Sequence, residues 1–163
     1  MENEAMATGV HNAFNPTECI RSIQRAINQH DLDALTACFD PDYHSEFPIH
    51  LDRAFHGHAQ MRKNWSQIFG AVPDIHAVLL RSVADGETVW AEWEWTGTRL
   101  DGARFWMCGV TIQGVQQGRV VWVRLYMEPV QNAGAGSDAA VAQSVAGRQP
   151  TEDSSGPTAV HGR

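Results

Sequence analysis

The first half of the chain alternates apolar and polar residues with the period of a helix. Ile20, Ile23 and Ile27 lie three or four positions apart, which predicts a helix with one buried face. Asp31 has the right residue type to cap a second, short helix directly after it. A third amphipathic pattern covers residues 59–69. The N-terminal half is therefore predicted to be helical, apart from a short extended segment at residues 43–48 that follows a turn at residues 40–42.

The second half of the chain alternates with a period of two, which is typical of strands. Short polar turns at residues 85–86 and 116–118 separate some of the apolar runs. Connections this short favour antiparallel neighbours. Four strands are predicted, at residues 75–83, 88–96, 104–115 and 119–128. Helices followed by a meander of strands predict an α+β domain in which the helices cover one face of the sheet.

The parity of the strand positions predicts which face of the sheet is buried. Odd positions are apolar in both the second and the last strand, as in Trp93, Trp95 and Leu125, and should face the helices. Even positions mix charged and aromatic residues and should face outward. Cross-strand ion pairing alone accounts for the charges on that face. We also predict a homodimer through it, because aromatic residues beside charges are typical of an interface. The residues predicted at this interface are Trp90, Trp122, Arg124 and Tyr126.

Composition and charge narrow the class of protein. The chain has 163 residues, of which 43% are hydrophobic, so it can build a core. Its formal charge of −7 argues against a nucleic-acid partner. Six tryptophans lie between residues 65 and 122, which is more than a small core needs, and this indicates an aromatic-lined cavity or an interface.

The ends of the chain and its cysteines predict one folded domain between two flexible ends, without a disulfide framework or a zinc motif. Residues 1–14 read as a flexible leader, residues 15–130 as the folded domain, and residues 131–163, rich in Ala, Gly, Ser and Pro, as a disordered tail. No apolar run reaches the length of a membrane span, and no secretion signal is evident. Three widely spaced cysteines match neither a disulfide framework nor a zinc motif. We therefore expect a cytoplasmic protein with no membrane partner.

Several segments together resemble a known family. They are Asn28 to Leu35, Phe39 to Tyr43, Phe55-His56-Gly57 and the closing stretch from Gly118 to Pro129. Their order and spacing resemble the SnoaL-like branch of the NTF2-like superfamily. The resemblance implies a cone-shaped α+β barrel, in which a bent, mostly antiparallel sheet wraps around three helices and encloses a deep pocket. Relatives include polyketide cyclases, ketosteroid isomerases, limonene-type epoxide hydrolases and plain ligand-binding or assembly modules, so the fold alone leaves the reaction open.

The resemblance also implies positions for the site residues. The epoxide hydrolases hold a water with a Tyr and an Asn two residues apart before a proline, and the matching residues here are predicted to be His44 and Glu46. Their charged strand residues are replaced by Trp93, Trp95 and Leu125, which disfavours that particular mechanism. Cys108 or Thr111 falls at a strand position that the cyclases use.

His44 and Glu46 are the predicted acid/base pair, because a histidine titrates near neutrality and a carboxylate in an apolar cavity gains basicity. A solvated strand edge explains the two equally well. His50 is predicted to line the mouth of the pocket. The predicted walls are Trp65, Phe69, Trp93 and Trp95, with ordinary core packing as the alternative.

Two functions are predicted from this pattern. One is a cofactor-independent enzyme that cyclises, isomerises, dehydrates or opens an epoxide on an apolar, polyketide-like metabolite. The other is a non-catalytic module that binds a ligand or assembles as a dimer. No cofactor and no metal is expected, because the His56-Gly57-His58 triplet lacks the carboxylate that a metal site of the cupin type would add.

Overall fold

The computed structural model describes residues 15–134 and 136–146. The predicted leader at residues 1–14 and the end of the predicted tail at residues 147–163 lie outside the described residues. What is described falls into two compact units that divide after Val130. The first unit holds the helices and the sheet considered below.

Three helices precede or interrupt the strands, and a side-chain cap begins two of them, one of which is the predicted cap at Asp31. The carboxamide oxygen of Asn15 accepts a hydrogen bond from the Thr17 backbone N–H at 3.0 Å. The Asp31 carboxylate accepts one from the Ala34 N–H at 2.8 Å. Both bonds satisfy donors that a helix start otherwise leaves free. The helices are α1 (Pro16–Asn28), α2 (Leu32–Ala37) and α3 (Gly57–Ala71).

Six strands form one open, mixed sheet in the order β2-β1-β6-β5-β4-β3. All neighbours are antiparallel except β1 and β6, which run parallel. The strands are β1 (Phe39–Glu46), β2 (Phe55–His56), β3 (His76–Asp85), β4 (Thr88–Thr98), β5 (Arg104–Gln116) and β6 (Arg119–Pro129). The predicted α+β class, with a mostly antiparallel sheet around three helices, is confirmed.

Side-chain amides hold α1 against the inner face of the sheet. Asn28 donates to the Ala77 carbonyl at 3.0 Å and accepts from the Ala77 N–H at 2.7 Å, which reproduces a ladder bond at the edge strand β3. Gln24 donates to the same carbonyl at 3.2 Å. Beneath the helix, Val89, Ala91 and Trp93 of β4 are almost completely buried. Odd positions of β4 therefore face the helices, as their parity predicts.

The segment at residues 40–42 is not a turn that precedes a strand, as predicted, but lies inside β1. The predicted turn chemistry is nevertheless present, because the Asp40 carboxylate accepts a hydrogen bond from the Asp42 N–H at 3.0 Å. The pairing of β1 with β6 is irregular between Phe39 and His44. At the end of this irregular stretch and just after it, Tyr43 and Ser45 are buried, while His44 and Glu46 are half-exposed.

The second unit contains a short helix, α4 (Ser137–Val145), within the stretch predicted to be a disordered tail. Alanine has the highest helix propensity and needs no burial to adopt this conformation, which explains a helix in an Ala-rich segment. None of its residues is buried. Within the described parts of the chain, no helix has the length and apolarity required to cross a membrane.

Candidate functional site

A cavity of about 250 Å³ lies between the inner face of the sheet and the helices α1 and α3. Three indoles form much of its wall, namely Trp65 of α3 and Trp93 and Trp95 of β4. The ring centroids of Trp65 and Trp95 are 5.5 Å apart, and those of Trp93 and Trp95 are 6.4 Å apart. The rings meet at an angle rather than face to face, an arrangement that suits their quadrupoles. The sheet thus presents a preformed aromatic surface to the cavity.

A short chain of hydrogen bonds fixes part of this wall. The Trp93 indole N–H donates to the Thr111 hydroxyl at 2.9 Å, and the Gln113 amide donates to the same oxygen at 2.7 Å. Thr111 and Gln113 are both buried on β5 and both line the cavity. Because buried hydrogen bonds hold side chains in one orientation, this part of the wall is rigid.

Tyr43 and Ser45 bring two hydroxyl groups to the cavity from β1. Both residues are only 2% exposed. Burial raises the pKa of the Tyr43 phenol well above its usual range. The phenol is therefore protonated at neutral pH and can donate a hydrogen bond, but it cannot serve as a base there.

The cavity lining contains no aspartate, glutamate or histidine among the residues that the structure describes. Its single formal charge is on Arg53, which is exposed. Proton abstraction near neutral pH most often uses an imidazole or a carboxylate within hydrogen-bond reach of the substrate. The described lining is therefore mostly apolar and offers neither a carboxylate nor an imidazole as a general base.

Four of the predicted wall and contact residues do line the cavity, namely Trp65, Trp93, Trp95 and Leu125. Phe69 does not. Its ring packs edge-on against His30 at 5.2 Å and lies behind Trp65 at 5.4 Å, so it supports the wall without contributing to the cavity surface.

His44 and Glu46 lie on the outer face of β1 and do not line the cavity. Glu46 accepts a hydrogen bond from the Arg124 guanidinium at 2.7 Å, and this contact raises the pKa of Arg124. The His44 imidazole lies 3.7 Å from the other Glu46 oxygen. Side chains alternate along a strand, so the burial of Tyr43 and Ser45 forces their neighbours outward. The prediction that this pair lies in the pocket is therefore wrong. The residues one position earlier, Tyr43 and Ser45, line the cavity instead.

Two other predicted ligand contacts also lie outside the cavity. Cys108 is on the outer face of β5, and its sulfur is 4.0 Å from a Glu94 carboxylate oxygen. The His50 imidazole is 2.8 Å from the Glu128 carboxylate, an interaction that holds the loop after β1 to the end of β6. Both residues contact charged partners of the outer face rather than the apolar lining.

Tyr43, Ser45 and Gln113 line the cavity but were not among the site residues predicted from the sequence. The sequence does indicate that Tyr43 and Ser45 face inward, because the charged positions of β4 and β6 are predicted to face outward. The same rule applied to β1 places His44 and Glu46 outward and leaves the tyrosine and serine inside. Gln113 gave no such signal, since a polar residue on an inner strand position contradicts the simple pattern.

A second pocket of about 260 Å³ lies on the outer face, beside the loop that follows β1. Glu46, Arg124 and Tyr126 line its sheet side, and Phe47, Pro48, Leu51 and Ala54 line its loop side. The pocket therefore combines an exposed ion pair with apolar loop residues. This lining contrasts with the inner cavity, whose sheet side is mostly apolar.

The rest of the outer face carries aromatic residues held by charged neighbours. The Trp106 indole donates to Glu94 at 3.0 Å, and the Arg104 guanidinium lies 3.9 Å from the Trp106 ring centroid. The Trp122 indole lies against the backbone of Gly114, where a Cβ atom would collide with it. Trp90 remains 38% exposed. Nowhere in the described parts of the chain do three metal-ligating side chains converge.

Comparison with known protein families assigns the class. The sequence model of the SnoaL-like domain matches residues 20–123, which covers most of the first compact unit. The chain belongs to the SnoaL-like family. This confirms the resemblance noted from the sequence. A search of curated proteins finds no significant match.

Solved structures of similar fold include proteins with different assigned activities. IdmH from Streptomyces antibioticus, a candidate polyketide cyclase, is 22% identical, with a TM-score of 0.61 over 71% of this chain and 93% of that one. An LEH-like epoxide hydrolase from M. tuberculosis is 20% identical, with a TM-score of 0.57 over 69% and 82%. A Catenulispora acidiphila protein of ketosteroid isomerase-like fold, in complex with trimethylamine, is 14% identical, with a TM-score of 0.59 over 66% and 82%. At these identities the likeness concerns the fold alone.

Proposed function

We propose that this domain binds a flat, apolar small molecule in the inner cavity without transforming it. The observation that carries the proposal is the composition of the lining: three indoles face the space, while the described lining lacks a carboxylate and an imidazole. Within the family this corresponds to the non-catalytic, ligand-binding hypothesis. The acid/base enzyme hypothesis loses its support inside the cavity, because its predicted pair lies on the other face of the sheet.

The cavity has the size and polarity that such a ligand requires. An engineered apolar cavity of about 150 Å³ holds benzene, so a cavity of about 250 Å³ has room for a larger ring system. Aromatic walls and a few buried hydroxyl and amide groups are typical of sites that recognise apolar molecules with some polar substituents. Burial of ligand surface supplies the affinity, and the polar groups orient the molecule.

The test follows binding and conversion in the same samples. The protein is titrated with 2-tetralone while its tryptophan fluorescence is recorded. Mass spectrometry then follows a bicyclic epoxide for hydration, and ultraviolet absorbance follows a bicyclic β,γ-unsaturated ketone for conversion to its conjugated isomer, which has the same mass. We expect saturable binding and recovery of both potential substrates unchanged. Formation of a diol or of a conjugated ketone above the uncatalysed rate would contradict the proposal.

A second candidate function places acid/base chemistry at the outer pocket. It is favoured by the position of Glu46, which lines that pocket and lies beside His44. If the epoxide or the ketone is converted, this hypothesis expects the activity to disappear in His44→Ala and in Glu46→Gln. Glu92→Gln provides the matched control, because Glu92 is also on the outer face but contacts Arg81 instead. Conversion that survives both changes would exclude the pair.

We also propose that a second copy of the chain covers the outer face. Trp90, Trp122, Arg124 and Tyr126 place aromatic and charged groups on one surface, a composition that recurs in protein interfaces. Analytical ultracentrifugation is expected to find a dimer for the wild type and a monomer for Trp90→Glu. A monomeric wild type at micromolar concentration would contradict this.

The cytoplasm is the proposed location, with neither nucleic acid nor membrane as a partner. All three cysteines are free thiols in the structure, which fits a reducing compartment. The net charge of −7 opposes attraction to phosphate backbones and anionic lipids. Fractionation of cells that produce the full chain is expected to recover it with cytoplasmic markers.

A further inference from the structure

Arg53 brings the single formal charge of the described lining to the rim of the inner cavity. It is the one exposed residue of that lining, whereas the others are buried or half-buried. Two positions further on, Phe55 lines the same cavity, and Ala54 between them lines the outer pocket. Because side chains alternate along an extended stretch, Arg53 is directed to the side of the inner cavity.

The backbone at Arg53 is held on both sides. Arg53 ends a short 3-10 turn, in which its N–H donates to the His50 carbonyl at 3.0 Å. The His50 imidazole is in turn 2.8 Å from the Glu128 carboxylate. On the other side, Phe55 pairs with Ser45 of β1. The guanidinium therefore extends from an anchored backbone, which keeps it near the rim although the side chain is long.

The charge of Arg53 is not compensated by the described part of the chain. No ion pair among the described residues includes Arg53. The neighbouring Asp52 is exposed and does not line the cavity. By contrast, Arg124 of the outer pocket lies 2.7 Å from Glu46. A solvated arginine needs no partner, but a lining that contains one cation and no described carboxylate gives the rim a positive sign.

The rim and the depth of the cavity suit different parts of one ligand. An ionised group is strongly disfavoured in an apolar space without a partner, so it cannot replace the ring system beside Trp93 and Trp95. At the rim the same group keeps its hydration and meets a guanidinium, which presents paired N–H donors to a carboxylate. Arginine stays protonated near neutral pH, so the preferred sign is negative.

We infer that the inner cavity selects flat, apolar acids, whose ring system lies among the indoles and whose carboxylate is bound by Arg53 at the rim. The inference rests on the proposed function and adds to it the chemical class of the ligand. The net charge of the chain, −7, would by itself repel such an anion. A preference for an acid would therefore report a local positive group and not the overall charge.

Three naphthalene probes of similar size test the inference by calorimetric titration of the full chain near neutral pH. 2-Naphthoate is an anion, 2-naphthamide is its neutral counterpart, and 2-naphthylmethylammonium is a cation. An ion pair at an exposed rim contributes modestly, so the acid is expected to bind about two- to tenfold tighter than the amide in low salt. The cation is expected to bind weakest. High salt should reduce the preference for the acid, because exposed charges are screened.

Three variants assign the preference to its residue. Arg53→Gln is expected to abolish the advantage of the acid over the amide. Arg119→Gln is the matched control, because Arg119 is also exposed but does not line the cavity, and its loss changes the net charge equally. It should keep the wild-type ratio. Arg53→Glu is expected to reverse the order, so that the cation binds tighter than the acid. Circular dichroism establishes that each variant is folded.

The outcomes separate the ligand class from the proposed function. If the wild type bound the amide as tightly as the acid, the ligand class would be overturned and apolar binding would stand. A preference that survives in Arg53→Gln, or that Arg119→Gln removes to the same extent, would also overturn it, since the responsible charge would then lie elsewhere. Failure of all three probes to bind would overturn the proposed function together with the inference.

Discussion

Both faces of the sheet carry aromatic side chains, but the surroundings of these side chains differ. On the inner face, Trp93 and Trp95 border the apolar cavity together with Trp65. On the outer face, Trp90 and Trp106 lie among charged residues such as Glu94. Trp93 and Trp95 are buried by their own chain, whereas Trp90 is 38% exposed. The comparison shows that aromatic content alone does not distinguish a ligand cavity from a surface.

The two faces of the sheet differ in the distribution of charge. Inner-face polarity consists of buried neutral groups, such as Thr111 and Gln113, which meet in a hydrogen-bonded chain. Outer-face polarity consists of exposed ion pairs, such as Arg81 with Glu92 and Arg124 with Glu46. Neutral groups orient a ligand without imposing the desolvation cost of a buried charge. The described lining of the inner cavity therefore has no carboxylate or imidazole, whereas the ion pairs of Arg81 with Glu92 and of Arg124 with Glu46 lie on the outer face.

The largest expected effect is the difference in stability between variants of two tryptophans on β4. Trp93→Ala removes a side chain that is 1% exposed, and it should lower the free energy of unfolding by about 4 kcal/mol. Trp90→Ala removes one that is 38% exposed, and it should cost about 1 kcal/mol. Urea denaturation of the two variants measures the difference. Equal losses would remove the structural distinction between the faces.

The next largest loss of stability is expected when a buried hydrogen-bond acceptor is removed. Thr111→Val deletes the oxygen that accepts hydrogen bonds from Trp93 and Gln113, so it leaves two buried donors unpaired. We expect a loss of about 2 kcal/mol in the free energy of unfolding. Thr96→Val, at a half-exposed position of the same sheet, should change it by less than about 0.5 kcal/mol. If Thr111→Val left the free energy of unfolding unchanged, the hydrogen bonds to Thr111 would not stabilise the wall.

Thiol reactivity provides a smaller but independent contrast. Burial, together with the nearby Cys38 thiol, raises the pKa of Cys19 to about 12, and burial also raises the pKa of Cys38. At pH 8 iodoacetamide should therefore modify Cys19 at least about tenfold more slowly than a free thiol. Peptide mapping after timed quenching measures the rate, and labelling in urea is the control. Rapid modification of Cys19 in the folded protein would contradict its burial.

The smallest effect is expected for an exposed ion pair. Glu92→Gln breaks the contact with Arg81, whose side chain is 82% exposed, and it should change the free energy of unfolding by about 0.5 kcal/mol or less. The change should shrink further in high salt, because exposed charges are screened. A loss comparable with that of Trp93→Ala would mean that the outer charges stabilise the fold after all.

The fold and the walls of the cavity could be predicted from the sequence because they depend on periodicity. The parity of β4 placed Trp93 and Trp95 inside without any tertiary information. The placement of His44 and Glu46 failed because it followed the resemblance to the epoxide hydrolases. The rule that puts charged strand positions outward, which held for β4 and β6, was not applied to β1. Gln113 could not be found because an unpaired buried oxygen is visible only once its neighbours are known.

The central claim is that the ligand occupies the inner cavity and not the outer pocket. Two filling variants test it most directly: Leu125→Trp adds an indole to the inner lining, and Ala54→Trp adds one to the outer lining. Circular dichroism establishes that each variant is folded, and binding of 2-tetralone is then measured by calorimetry. We predict that Leu125→Trp abolishes binding while Ala54→Trp binds as tightly as the wild type. Loss of binding in Ala54→Trp with binding retained in Leu125→Trp would contradict the account.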